Sequence, residues 1–131
     1  MRTLQPPGWT APKGYANGVA ARGTTIFVGG QIGWNAQQQF ESDDFVAQAR
    51  QALANVVAIL AEAGSRPEHI ARMTWYVVDK REYIASYRAL GVVYRELVGR
   101  HFPAMTAVEV SALIEDAARV EIEATAVIPD P

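Results

Sequence analysis

Two carboxylates near the end of the chain, Glu121 and Glu123, are the residues whose type best suits acid–base chemistry. They lie in a segment, residues 119–128, where polar and apolar residues alternate as in a half-buried strand. Such alternation places both carboxylates on one face of the strand. Either both side chains face solvent, as we expect for Glu123, or Glu121 lines a partly apolar cleft, where a carboxylate can act as a general base.

A stiff corner precedes these carboxylates in the sequence. Pro103 cannot continue a helix and favours an extended backbone in the residue before it. The period-two pattern from Thr106 to Val110 then predicts a strand. A corner with so little conformational freedom is suited to holding a small-molecule site. Met105 is either a wall of that site or a buried gap-filler, and His101 is expected to be structural rather than a base.

Two other features could contribute to binding. Gly29 and Gly30 end a β-branched and aromatic segment, and such a pair predicts either a bend or a close approach of a ligand to the backbone. Tyr15 belongs to residues 1–17, which are rich in proline and glycine and are predicted to form an irregular arm. From such an arm an aromatic ring could close over a pocket or simply pack against the domain.

The composition excludes several classes of function. The chain has no cysteine, so neither disulfides nor thiolate chemistry can contribute. Two histidines without clustered carboxylates predict no metal site. A net charge of -2 gives no reason to expect nucleic acid as the main partner. The absence of a long apolar run and of a signal-peptide pattern predicts no membrane association and a cytoplasmic location.

The elements that must position these residues can be predicted from hydrophobic periodicity. A helix with a single apolar stripe is predicted from an N-cap at Ser42 to Gly64 at its carboxyl end. A capped helical turn is predicted at residues 65–68, and a second helix over residues 83–98. The polar residues expected on the solvent side of the first helix are Gln48, Gln51, Asn55 and Glu62. The predicted strands are residues 18–22, 24–29, 70–78, 106–110 and 119–128.

This order of elements predicts a single α+β domain over residues 1–131, a mixed sheet with two helices on one face. The strand at residues 70–78 is largely apolar on both of its faces. Because two helices can cover only one face of the sheet, we expect another subunit to cover the other.

The chain also resembles the Rid family, the YjgF-like reactive intermediate deaminases. The matching segments are Gly14-Tyr15, Ile26 to Gly33, Gln48 to Asn55, Val93-Tyr94, His101 to Ala104, Ala107 to Val110 and Val120 to Ala124. The resemblance implies a chorismate-mutase-like fold and a homotrimer with a ligand cleft at each subunit interface. It also implies hydrolysis of reactive enamines and imines such as 2-aminoacrylate to a 2-keto acid and ammonia, with no cofactor or metal.

The resemblance assigns roles to individual positions. Glu121 matches the glutamate that positions or activates water. The substrate-binding positions carried over are Tyr15, Gly29, Gly30, Gln31, Gly91, Met105 and Thr106.

The sequence departs from the family pattern at three of these positions. An arginine that clamps the substrate carboxylate usually follows the Pro-Ala pair, and here Met105 stands there, unable to make a bidentate charged contact. Gly29 and Gly91 stand where a serine and an asparagine are usual. Little activity on 2-aminoacrylate is therefore expected. Arg72 and Arg100 are the nearby candidates for replacing the charge, and solvation at the surface is expected for both.

Three functions are compatible with this pattern. The first is a deaminase-type hydrolase acting on a small enamine or imine other than 2-aminoacrylate, for example an intermediate of aromatic degradation. The second is a trimer whose clefts bind a small apolar or aromatic metabolite without turnover. The third, a ribonuclease or translation inhibitor, is disfavoured by the acidic balance and by the lack of a basic aromatic stripe.

Overall fold

A four-stranded mixed sheet forms the framework of the protein. The computed structural model describes residues 1–131. The strands are β1 (Arg2–Leu4), β2 (Gly18–Ala20), β3 (Gly23–Ile32), β4 (Ile70–Val77), β5 (Ala104–Glu109) and β6 (Val120–Pro129), and the helices are α1 (Phe45–Glu62), α2 (Lys80–Ala85) and α3 (Tyr87–Leu97). The order in the main sheet is β3-β6-β4-β5, with β4 and β5 parallel and the other neighbours antiparallel. The predicted α+β class with a mixed sheet is confirmed.

The amino-terminal residues are more regular than expected. β1 pairs antiparallel with β2 in a separate two-stranded sheet, so the prediction of an irregular arm is wrong for residues 2–4. A strand of three residues is too short to show periodicity. Further on, Ala16 donates its backbone N–H to the Pro103 carbonyl oxygen at 2.9 Å, which fixes the end of the arm beside the start of β5.

The glycine pair lies within β3 and does not end it. The strand continues to Ile32, and its pairing with β6 shifts register between Val28 and Gln31. The predicted bend is therefore present as a β-bulge, while the predicted end of the strand at Gly29 is wrong. A bulge inserts extra residues without ending the ladder.

The first helix begins two residues later than predicted. Its N-cap is Asp44, whose side chain accepts a hydrogen bond from the backbone N–H of Ala47 at 2.9 Å. Ser42 instead accepts one from the N–H of Asp44 through its hydroxyl oxygen. The carboxyl end is as predicted, since Gly64 follows the C-cap residue with a φ of 72°, a conformation that favours glycine.

The second predicted helix is two helices. Asp79 caps α2 by accepting hydrogen bonds from the backbone N–H groups of Arg81 and Glu82. Helix α2 ends at Ala85, and α3 begins after Ser86. Asp79 offers a stronger cap than any residue near position 83, so the helical region starts earlier. The capped turn is a 3₁₀ turn at Pro67–His69, closed by His69 rather than Glu68. No helix is long and apolar enough to cross a membrane.

The helices pack on one face of the main sheet. The core residues of the sheet come from β4 (Met73, Trp75, Val77) and β6 (Val120, Ile122, Ala124, Ala126), and α1 covers them with Leu53, Val56 and Leu60. The side chains at alternate positions project to the other face, which we call the open face. Its residues include Phe27, Arg72, Thr74, Tyr76, Thr106, Val108, Glu121 and Glu123.

Candidate active site

Glu121 occupies a position on the open face that only a glycine neighbour permits. It is half-buried in β6, and its carboxylate lies over Gly30 of β3. A β carbon at position 30 would lie 2.1 Å from Glu121 Oε2, closer than two such atoms can approach. The close approach considered for this glycine pair is thus made by a carboxylate of the same chain.

The carboxylate of Glu121 has no partner within the chain. None of the ion pairs includes it. The carboxylates that accept hydrogen bonds are those of Asp44, Asp79, Glu96, Glu109 and Glu123. Glu121 therefore keeps its acceptor positions free for a water or a ligand.

Glu123, expected in solvent, takes part in a hydrogen bond on the open face. It is half-buried, and Tyr76 of β4 donates its hydroxyl to Glu123 Oε1 at 2.6 Å. This hydrogen bond, then burial and the charges of Glu123 and Glu121, raise the pKa of Tyr76 above its ordinary value. Tyr76 lies directly opposite Glu121 in the β4–β6 register, so the residue that binds Glu123 is also the cross-strand neighbour of Glu121.

The glycine-rich turn of β3 completes this part of the site. Gln31 donates from Nε2 to the carbonyl oxygen of Gly29 at 3.1 Å, which holds the bulge closed. A β carbon at Gly29 would have no atom within 4 Å, so open space lies beside Gly30. Four predicted site residues, Gly29, Gly30, Gln31 and Glu121, are therefore brought together.

Met105 projects from the opposite face of the sheet. It pairs with Met73 in the parallel β4–β5 ladder and packs against the hydrophobic core while remaining half-exposed. Its neighbour Thr106 pairs with Thr74 on the open face. Within one chain, Met105 and Glu121 therefore lie on opposite faces of the sheet.

Among the remaining predicted positions, Arg72 lies on the open face with the two carboxylates. Tyr15 is 40% exposed and precedes the residue that bridges β5. Gly91 is exposed on α3, with no atom within 4 Å of where its β carbon would be. Arg72 and Arg100 are exposed and form no ion pair.

His101 is held as a structural residue. Its Nε2 donates to the Ile70 carbonyl oxygen at 2.6 Å, which ties the proline corner to the start of β4. Tyr94 donates its hydroxyl to the His101 carbonyl oxygen at 2.5 Å, and its ring stacks on Phe102. These contacts fix the corner that leads into β5.

No sequence signal indicated two residues: Tyr76, which contacts Glu123, and Gln48, which contacts the backbone just before β6. Tyr76 was read as one residue of an apolar strand, and only the register with β6 shows its bond to Glu123. Gln48 was placed on the solvent side of α1 but is 1% exposed. Periodicity cannot detect it, because a buried glutamine with satisfied hydrogen bonds has the same spacing as an exposed one.

One cavity of the chain is lined by neither carboxylate of the open face, although Gln48 contributes to its wall. It has a volume of about 450 Å³ at the start of α1 and is lined by residues such as Gly33, Glu41, Arg50 and Val93, none of which is a predicted site residue. No group of three or more His, Cys, Asp or Glu side chains is placed to hold a metal ion. What the open face offers is a free carboxylate, a phenol and a glycine bulge.

Comparison with known proteins places this arrangement in a family. The family model described as Endoribonuclease L-PSP matches residues 8–128. A RutC family protein of Pasteurella multocida is 37% identical over 105 residues, covering 80% of this chain and 81% of the relative. The 2-iminobutanoate/2-iminopropanoate deaminase of Escherichia coli K12 is 36% identical over 116 residues, covering 86% of each chain.

A solved structure shows the same likeness in three dimensions. A protein of the conserved Rid family from Yersinia pestis, described as of unknown function, superposes with a TM-score of 0.83 at 30% identity and covers 97% of this chain and 98% of that one. The likeness in sequence and fold thus extends over nearly the whole chain. The chain therefore belongs to the Rid, or YjgF-like, family, the family whose model is described as Endoribonuclease L-PSP.

Proposed function

We propose that the protein is a cofactor-independent hydrolase of the deaminase type that acts on a small enamine or imine other than 2-aminoacrylate. The observation that carries this proposal is the half-buried, unpartnered carboxylate of Glu121 held over Gly30. A carboxylate with free acceptor positions can take a proton from an attacking water. The Escherichia coli relative is named as an imine deaminase, which is the same class of reaction.

The proposed reaction needs only a base that later returns its proton. Water adds its oxygen to the imine carbon while Glu121 removes one of its protons. Glu121 returns this proton to the substrate nitrogen and then transfers the hydroxyl proton of the adduct to the same nitrogen, so that the C–N bond breaks, ammonia leaves and the carbon becomes a carbonyl. Tyr76, protonated and hydrogen-bonded to Glu123, keeps a second polar group beside the reacting water.

The site is proposed to form between the subunits of a homotrimer. Met105 and Glu121 lie on opposite faces of the sheet in one chain, so only a second copy could bring the two positions into one cleft. The open face also carries exposed apolar side chains, with Phe27 at 80% and Val108 at 41% exposure. Apolar groups on an uncovered sheet face are typical of a face that another subunit covers.

Phe27→Asp is expected to break this assembly. In a trimer, the change would bury an unpaired carboxylate at the interface and shift the mass measured by light scattering from three times the 14.3 kDa chain toward one. The matched control is Ile114→Asp, at a side chain 95% exposed in the loop before β6. A wild-type protein that is monomeric at micromolar concentration, or a trimer unaffected by Phe27→Asp, would contradict the proposal.

Met105 is proposed to stand where relatives hold the carboxylate-binding arginine. The substrate group at this position would then meet a thioether beside Met73, which favours an apolar or aromatic group over a carboxylate. This is why 2-aminoacrylate is proposed to be a poor substrate.

Met105→Arg is expected to increase affinity for small 2-keto acids such as pyruvate by roughly 10- to 100-fold, because a charge-assisted contact to a carboxylate contributes about 1.5–3 kcal/mol. Arginine and methionine are both long and unbranched, and the half-exposed position lets the guanidinium reach solvent. Calorimetry with pyruvate on variant and parent measures the change. A folded trimeric variant with no greater affinity than the parent would show that position 105 does not face the ligand.

The proposed function is tested by ammonia release. A panel of imines and enamines, generated in place by an amino acid oxidase or a dehydratase, is offered to the wild type, with 2-aminoacrylate included as the contrast. The proposal expects release from at least one apolar or aromatic member and little from 2-aminoacrylate. Hydrolysis of 2-aminoacrylate as fast as by an arginine-bearing relative measured beside it would refute the argument from Met105.

A second candidate function is binding without turnover. Met105 and Gly29 favour it, because they leave the proposed cleft less polar and roomier than a cleft with arginine and serine. Saturable binding of an apolar metabolite, measured by thermal shift and calorimetry with no product, would decide for it. Ribonuclease activity, suggested by the description of the family model, is disfavoured by the acidic pair on the open face and is checked by incubating the trimer with RNA.

A further inference from the structure

We propose that Gln48 is a positioning residue for Glu121, acting through the backbone at the start of β6; the inference rests on the proposed function. Gln48 lies on α1 and is 1% exposed, although glutamine is rarely buried so completely. A buried amide must have its hydrogen bonds satisfied, so its partners show what it holds in place.

The side chain of Gln48 binds the loop that leads into β6. Its Oε1 accepts the backbone N–H of Arg119 at 2.8 Å, and its Nε2 donates to the carbonyl oxygen of Ala117 at 2.9 Å. A second donor bond reaches the carbonyl oxygen of Ser42 at 3.1 Å. Arg119 is the last residue before β6 and lies two positions before Glu121. Gln48 therefore fixes the backbone one peptide unit before the strand that carries the base.

The other side of Gln48 contacts the end of β3. A β carbon at Gly33 would lie 2.5 Å from the Gln48 Cβ and 2.7 Å from its Cα, so the helix backbone packs directly on this glycine. Gly33 follows Ile32, the residue paired with Glu121 in the β3–β6 ladder. Gln48 thus contacts the residue just after β3 and the residue just before β6. Both contacts lie beside the Ile32–Glu121 pair of the ladder, in the region where the Glu121 carboxylate lies over Gly30.

The fold has a separate anchor for the same segment. The Arg119 side chain donates from Nε to the Asp43 carbonyl oxygen and pairs with Glu82 Oε1 at 3.5 Å. These contacts do not involve the side chain of Gln48. A Gln48 variant is therefore expected to lose the hydrogen bond to the Arg119 backbone N–H, while the Arg119 side chain can still bind Asp43 and Glu82 and favour the folded loop.

The experiment is a double-mutant cycle between Gln48→Met and Glu121→Gln. Methionine has nearly the length of glutamine but no amide, so the change removes the three hydrogen bonds with little change in volume. We expect Gln48→Met to lower kcat roughly 10- to 100-fold, as a displaced catalytic group does, with KM changed less than about twofold. In the Glu121→Gln background the same change should cost no further activity, while its effect on the denaturation midpoint should be the same in both backgrounds.

Gln51→Met is the matched control on the same helix. It removes one hydrogen bond, to Asn55 Oδ1, and touches neither β6 nor Arg119, so kcat should stay within about twofold of wild type. Amide hydrogen exchange gives a readout independent of activity: Gln48→Met should speed exchange at Arg119, and Gln51→Met should not. If Gln48→Met does not fold, Gln48→Glu tests the same link from the other side, because a protonated carboxyl keeps the acceptor for Arg119 and one donor. Both kcat and amide exchange at Arg119 should then stay close to wild type, and a fall in kcat without faster exchange at Arg119 would overturn the inference.

The outcomes separate the inference from the function on which it rests. An equal loss of activity in both backgrounds, or no loss in either, would overturn the positioning role and leave the function standing. If Glu121→Gln alone leaves ammonia release unchanged, Glu121 is not the base and the inference falls with it; if the wild type releases no ammonia, the proposed function fails, whatever Gln48 does to amide exchange. The inference is supported if Gln48→Met lowers activity when Glu121 is present and causes no further loss in the Glu121→Gln background.

Discussion

Replacing Glu121 with glutamine is expected to lower the rate of imine hydrolysis by about 10²- to 10⁴-fold, the usual contribution of a general base. The amide has almost the same size but cannot take a proton from water. The fold should be unaffected, because the Glu121 carboxylate accepts no hydrogen bond and forms no ion pair within the chain. Ammonia release under single-turnover conditions, with ligand binding followed by calorimetry, separates the loss of chemistry from a loss of affinity.

Glu123→Gln is the matched control on the same strand. Its amide oxygen can still accept the Tyr76 hydroxyl, so the open face keeps its geometry while losing one charge. We expect its activity to stay within about tenfold of wild type, well above that of Glu121→Gln. Equal activity of the two variants, or full activity of Glu121→Gln, would show that Glu121 is not the base.

The largest loss of stability is expected from Gly33→Ala. The new methyl group would meet the Gln48 Cβ at 2.5 Å, its Cα at 2.7 Å and its backbone oxygen at 2.8 Å. These are helix backbone atoms, or atoms attached to them, so α1 must move away from β3 to admit the methyl group. Overpacking of this kind usually costs about 1–3 kcal/mol of the free energy of unfolding. Urea denaturation of variant and wild type at one protein concentration measures the difference.

Gly29→Ala is the control for this prediction. A β carbon at position 29 would meet no atom within 4 Å, and the residue does not have a positive φ, so the free energy of unfolding should change by no more than about 0.5 kcal/mol. If Gly33→Ala were as stable as Gly29→Ala, the contact between α1 and the end of β3 would be looser than the structure shows.

Local patterns were sufficient to predict most of the elements. The apolar stripe of α1 continues for five turns, so the burial of Phe45, Ala49, Leu53, Val56 and Leu60 follows from spacing alone. Alternation in β6 correctly placed Glu121 and Glu123 together on one face. Boundaries were less certain, because Ser42 and Asp44 are both good caps, and only the path of the preceding chain selected Asp44.

The site depended on contacts between residues distant in sequence. Tyr76 meets Glu123 across 47 positions, and Gln48 meets Arg119 across 71, so neither bond leaves a local signal. The sequence also suggested that Met105 and Glu121 could share one cleft. Within one chain, the register of β5 against β4 turns Met105 toward the core and leaves Glu121 on the open face, so such a cleft would need a second subunit.

The sequence by itself determined the class of fold, the strand that carries Glu121 and the absence of cysteine chemistry, because periodicity and composition are properties of short segments. Only the tertiary structure decided that Gly30 leaves room for the Glu121 carboxylate, that Gln48 is buried, and that Met105 faces away from Glu121. The physical reason is strand register. A shift of one residue turns every side chain of a strand to the opposite face, and register is set by packing across the whole sheet.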